Sequence, residues 1–112
     1  MEELSKGQEK IAHKLIDEAL QRECAKFLND MDSFMRQRNQ NEEDSHKTYL
    51  SLFRKIHQFD KKLTKRYDGL TGSAYFLSVI GLYCDGVLTD EDINQFEEEI
   101  QVRIRLFRDS LE

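Results

Sequence analysis

A chain of 112 residues with a formal net charge of -5 and a sequence pI of about 5.2 has the length of one domain and an acidity that argues against bulk nucleic-acid affinity. Its N-terminus, Met1-Glu2-Glu3-Leu4-Ser5-Lys6, is polar, and its longest apolar run, Ala74 to Cys84, is too short to span a bilayer. A cytoplasmic protein with neither a targeting segment nor a membrane partner is therefore expected.

Charged residues make up 35% and mean hydropathy is -0.72, yet proline is absent and the apolar residues recur at helical spacing, which predicts an all-α chain. The first helix is predicted over about 3–38. Its core face reads Ile16, Leu20, Cys24, Phe27, Leu28, Met31, Phe34 and Met35, while Leu4, Ile11 and Leu15 project to nearly the opposite side. A straight helix cannot bury both sets in one core. Either it is interrupted near Lys14, or Ile11 and Leu15 meet another chain, or the N-terminus is frayed and simply leaves a few aliphatics exposed.

Arg36 to Asp44 contains no apolar residue and reads as the first loop, with Asn41, Asp44 or Ser45 as candidate caps of the next helix. Glu43-x-x-His46 has the carboxylate-histidine spacing of helical-bundle metal sites. Such sites need two copies of the motif and two further inward glutamates, so no metal is expected here.

The second helix, about 45–68, carries the stripe Tyr49, Leu52, Phe53, Ile56, Phe59, Leu63 and Tyr67. His57 sits at its edge, as a packed side chain would. The polar face is basic: seven Lys or Arg stand against Asp60 and Asp68, a net of +5, between flanks of net -4 (1–44) and net -6 (69–112). That asymmetry has two readings. It either aligns this helix beside acidic neighbours within the fold, or, with Lys61, Lys62, Lys65, Arg66, Gly69, Thr71 and Gly72, makes an anion site at the entrance to the third helix.

That third helix, about 73–84, is apolar all round and is expected to be buried, with the amphipathic helices wrapped around it. Asp85-Gly86 then supplies a residue that accepts positive φ, and Thr89 is the predicted N-cap of the last helix, with Asp92 completing a capping box and Leu88 and Ile93 a hydrophobic staple. The same run resembles half of a calcium loop aligned on Gly86. Its first and third positions would be Gly81 and Tyr83, its ninth Thr89 and its twelfth Asp92, so two carboxylates are missing. A plain turn is the better reading.

The last helix, about 90–111, has Ile93, Phe96, Ile100, Ile104, Phe107 and Leu111 on one stripe, with Val102 and Leu106 opposite. Cys24 and Cys84 lie on apolar faces and read as buried thiols. No nucleophile elbow, Walker loop, dinucleotide fingerprint or zinc-protease motif is present, and the acidic clusters read as solvated helix ends, so neither enzyme activity nor a cofactor is expected.

Together these features predict a small four-helix bundle-like domain over 1–112, three long amphipathic helices around a short buried third. It would act as a regulator, adaptor or inhibitor by binding another protein, a second copy included. Its expected partner-binding residues are Ile11, Leu15, Val102 and Leu106. An anion or nucleic-acid binder using the second helix is the competing reading.

Overall fold

The computed structural model describes residues 4–38 and 44–111 and is all-α. Five helices follow one another among the described residues: α1 Lys6–Gln37, α2 Ser45–Tyr67, α3 Gly72–Cys84, α4 Asp90–Ile93 and α5 Glu98–Leu111. None of them is long and apolar enough to cross a membrane. Packing divides the chain into two compact units, Met1–Arg22 with Gly69–Glu112, and Glu23–Asp68.

The first unit holds the core. From α1 it takes Ala12, Leu15, Ile16 and Ala19, at the spacing of one helix face, and from α3 Phe76, Val79, Ile80, Leu82 and Tyr83; Leu88, Ile93, Phe96, Ile100 and Ile104 complete it. The expectation for α1 is corrected here. The helix is uninterrupted, and Leu15 is fully enclosed rather than presented to a partner. Large side chains alone suggested a face turned too far toward Leu20 and Cys24. The face that packs is centred on two alanines, Ala12 and Ala19, both fully enclosed. Ser5 starts the helix, accepting from the Gln8 backbone N–H at 3.3 Å.

Helix α3 is not buried all round: Leu77 is 54% exposed, and Gly81 and Cys84, one and two turns on, are exposed too. A helix thirteen residues long lies against its neighbours on one side, so an apolar composition does not enclose it. The reversal after it follows the sequence closely. Gly86 has φ 78°, its N–H donates to the Tyr83 carbonyl, and the Val87 N–H reaches back to Leu82 at 2.9 Å, the bonding of a Schellman motif. Thr89 and Asp92 form the capping box, and Leu88 and Ile93 are buried.

The predicted last helix is broken into α4 and α5. Between them the Gln95 and Phe96 N–H groups bond three residues back, to Asp92 and Ile93, instead of four. Side chains from elsewhere hold the break open: Gln8 Oε1 accepts from the Glu97 N–H at 2.9 Å, Gln101 Nε2 donates to the Phe96 carbonyl at 2.7 Å, and Arg105 Nη2 donates to Asn94 Oδ1 at 2.8 Å. Neither glycine nor proline marks this point in the sequence.

The second unit is an antiparallel helical hairpin. As numbers rise along α1 their partners fall along α2: Glu23 with Arg66 and Tyr67, the Phe27 ring stacked on Phe59 at 4.1 Å, and the Lys55 ammonium 5.1 Å over the Phe34 ring. Asp44 is the cap of α2, accepting from the His46 and Lys47 amides at 3.0 and 3.3 Å. Asn41 and Glu43 lie outside the described residues.

Candidate functional site

Two helices share one seam, and a wide apolar stripe cannot fit into it. No residue of α2 is buried. Tyr49 is 61% exposed, Phe53 57%, Ile56 48% and Leu50 37%, and across the hairpin Leu28 of α1 is 66% exposed. Helical projection says where they point. Taking the seam from Phe59, Lys55 and Arg66 on α2, the side chains of Ile56, Tyr49 and Phe53 lie about 80°, 100° and 140° further round. Leu28 lies about a third of a turn beyond the seam direction set by Glu23, Phe27 and Phe34 on α1. Because the helices run antiparallel, the same sense of rotation turns both sets toward one side of the hairpin. Half-buried Met31 and Met35 fall between them, whereas Leu50 points away from the seam, close to the direction of Lys61. The opposite side is polar, with Lys26, Asp30 and Ser33 from α1 and Ser51, Gln58 and Lys62 from α2. The hairpin as a whole is amphipathic.

A buried carboxylate ties its open end. Glu23 accepts from the Tyr67 hydroxyl at 2.6 Å and from Arg66 Nη1 at 2.7 Å, with the Lys62 ammonium 3.5 Å away. Burial pushes the Glu23 carboxyl up, but those two hydrogen bonds and the two cations outweigh it and hold the group below its ordinary range. Burial and the bond to Glu23 raise the Tyr67 phenol well above its usual value.

This arrangement gives the expected anion-binding residues other surroundings. Arg66 and Lys62 face Glu23, while Lys61 and Lys65 are exposed. Gly69, with φ 72°, Thr71 and Gly72 belong to the first unit. There the Glu9 carboxylate sits where a Cβ on Gly72, the first residue of α3, would stand. A protein carboxylate thus lies beside the first turn of that helix.

Of the expected partner-binding residues, Val102 and Leu106 are exposed on α5, Ile11 is half-buried, and Leu15 is in the core. Phe107 of the predicted stripe is also exposed, with its ring edge-on to Phe76. Cys84 is exposed rather than buried and Cys24 half-buried, and both are free thiols.

The turn read as half of a calcium loop has internal partners. Arg22 Nη1 and Nη2 meet the two Asp92 oxygens at 2.7 and 3.1 Å, and Nη1 also donates to the Val87 carbonyl at 2.9 Å. The Thr89 N–H and hydroxyl donate to the same carboxylate, and Tyr83, in α3, donates to Asp90. The Arg22 bond leads these influences, which hold the Asp92 carboxyl at about 2 against the cost of its burial.

The sequence stripes contained Leu28, Tyr49, Phe53 and Ile56 but assigned them to a core. The signal that could have corrected this is geometric: two amphipathic helices joined by a short loop have too little mutual surface for stripes of that width. Comparison of the chain with protein-family models, with curated proteins and with solved structures gives no match.

Proposed function

We propose that this chain acts by binding another protein molecule through the apolar side of the Glu23–Asp68 hairpin, the way a small regulator, adaptor or inhibitor works. One observation carries the reading: α2 has no buried residue, and its large apolar side chains share a side of the hairpin with Leu28. Single exposed aliphatics are ordinary, but grouped ones are not. Burying one such side chain contributes about 1.5 to 3 kcal/mol when complete, so covering even the exposed halves of Tyr49, Phe53, Ile56 and Leu28 would supply several kcal/mol toward association. Aromatic side chains have few rotatable bonds and lose little entropy when they bind, which suits them to be anchors.

The test is a photoreactive phenylalanine analogue at Phe53, irradiated in the cells that make the protein, with the same analogue at Lys61 as control. An adduct with a protein from Phe53 and none from Lys61 is expected. No adduct from Phe53, or equal adducts from both, refutes the reading.

A further inference from the structure

We infer that the occupant of the hairpin's apolar side is a second copy of the same hairpin, closing an intermolecular four-helix bundle with a two-fold axis parallel to the helices. The inference rests on the reading of that side as a binding surface and names what binds there.

An antiparallel helix pair with one apolar side is half of a four-helix bundle, and two identical halves complete it without any other molecule. The area is sufficient. Taking roughly 200 Å² for a large apolar residue, the exposed fractions of Leu28, Tyr49, Phe53 and Ile56 amount to roughly 450 Å² per copy. Two copies cover roughly 900 Å², and the half-buried Met31 and Met35 bring the total to the roughly 1,000 Å² that a specific interface must reach.

Charge selects the symmetry. Over Ser45–Tyr67, α2 carries seven Lys or Arg against Asp60 alone, whereas α1 from Glu23 to Gln37 is close to neutral, with Glu23 already bonded to Arg66 inside the hairpin and Asp30 and Asp32 paired with Lys26 and Arg36. An axis parallel to the helices lays each α2 against the partner's α1; an axis across them would appose the two basic helices. With the levels fixed by the Phe27–Phe59 stack and by Lys55 over Phe34, the chosen axis brings Asp32 at the outer rim of α1 level with His57 at the outer rim of the partner's α2.

Sedimentation of the purified chain and thiol cross-linking test this together. The parent is expected to sediment as a dimer at about 100 µM. Phe53→Lys with Ile56→Lys should sediment as a monomer with unchanged helicity. In a background of Cys24→Ser and Cys84→Ser, Asp32→Cys protein mixed with differently tagged His57→Cys protein should be joined into a heterodimer by a bis-maleimide about 10 Å long, the spacing of packed helices, at least tenfold more than either variant is joined to itself. A monomeric parent, a double variant that stays dimeric, or cross-linking without preference for the mixed pair each overturns the inference. If the parent is monomeric and the Phe53 probe still captures a different protein, the binding reading stands and only the second copy falls. If the Phe53 probe captures nothing, the binding reading falls as well.

Discussion

Asp92 offers the sharpest handle on the first unit, because one carboxylate there both caps α4 and receives Arg22 from a position seventy residues earlier. Asp92→Asn removes the charge while leaving an oxygen to accept from the Thr89 N–H. The carboxyl is held at about 2 instead of its ordinary 3.8. At about 1.36 kcal/mol per unit this amounts to roughly 2 kcal/mol of folding stability. Arg22 is half exposed, so solvent screening lowers the expected figure to between about 1 and 2 kcal/mol. The sign follows from the direction of the shift. A depressed folded-state value contributes fully above 3.8 and is lost as pH falls toward 2. The parent should therefore be more stable than Asp92→Asn at pH 7, and the gap should close between about pH 4 and pH 2, because the other carboxylates cancel in the comparison. Urea unfolding followed by circular dichroism at pH 7, 4, 3 and 2 measures it. A gap that is the same at pH 2 as at pH 7 would refute the assignment of this stability to the Arg22–Asp92 pair.

The two faces of α3 should respond differently: Ile80→Asp buries an unpaired charge and should unfold the protein, whereas Leu77→Asp should cost only about 1 kcal/mol, read from melting temperatures. Ala19→Leu should destabilise by about 1 to 3 kcal/mol through overpacking at a fully enclosed position, and an unchanged melt would show that α1 does not pack there through its alanines. Gly72→Ala should gain about 0.5 to 1 kcal/mol in a Glu9→Ala background, as alanine does in a helix, and less in the parent, where the Glu9 carboxylate must swing away. Equal gains in the two backgrounds would exclude contact between Glu9 and α3.

Local chemistry was the legible part of this chain. Asp44 caps α2, Gly86 reverses the chain, and Thr89 and Asp92 cap α4 as their residue types require. Long-range choices were not legible. Nothing local distinguishes Leu15, which is enclosed, from Leu28, which is largely exposed, because the difference depends on which neighbours each section of α1 meets. The break after Ile93 is equally silent in sequence: Gln8, Gln101 and Arg105 bond its backbone and side chains, and none of them is a helix breaker by type. Arg22 is an ordinary surface residue until Asp92 is placed against it. The apolar side of the hairpin was visible as two stripes, and only pairing α1 with α2 along a single seam shows how much of them is left uncovered.

Amide hydrogen exchange on α2 tests the central claim most directly. With no buried residue of its own, α2 in an isolated chain should open easily. Covered by a second hairpin, it should not. At about 100 µM the amides of residues 49–56 should exchange at least tenfold more slowly in the parent than in Phe53→Lys with Ile56→Lys, while those of α3 and α5 exchange alike in both. Equal rates for residues 49–56 in the two proteins would contradict the account.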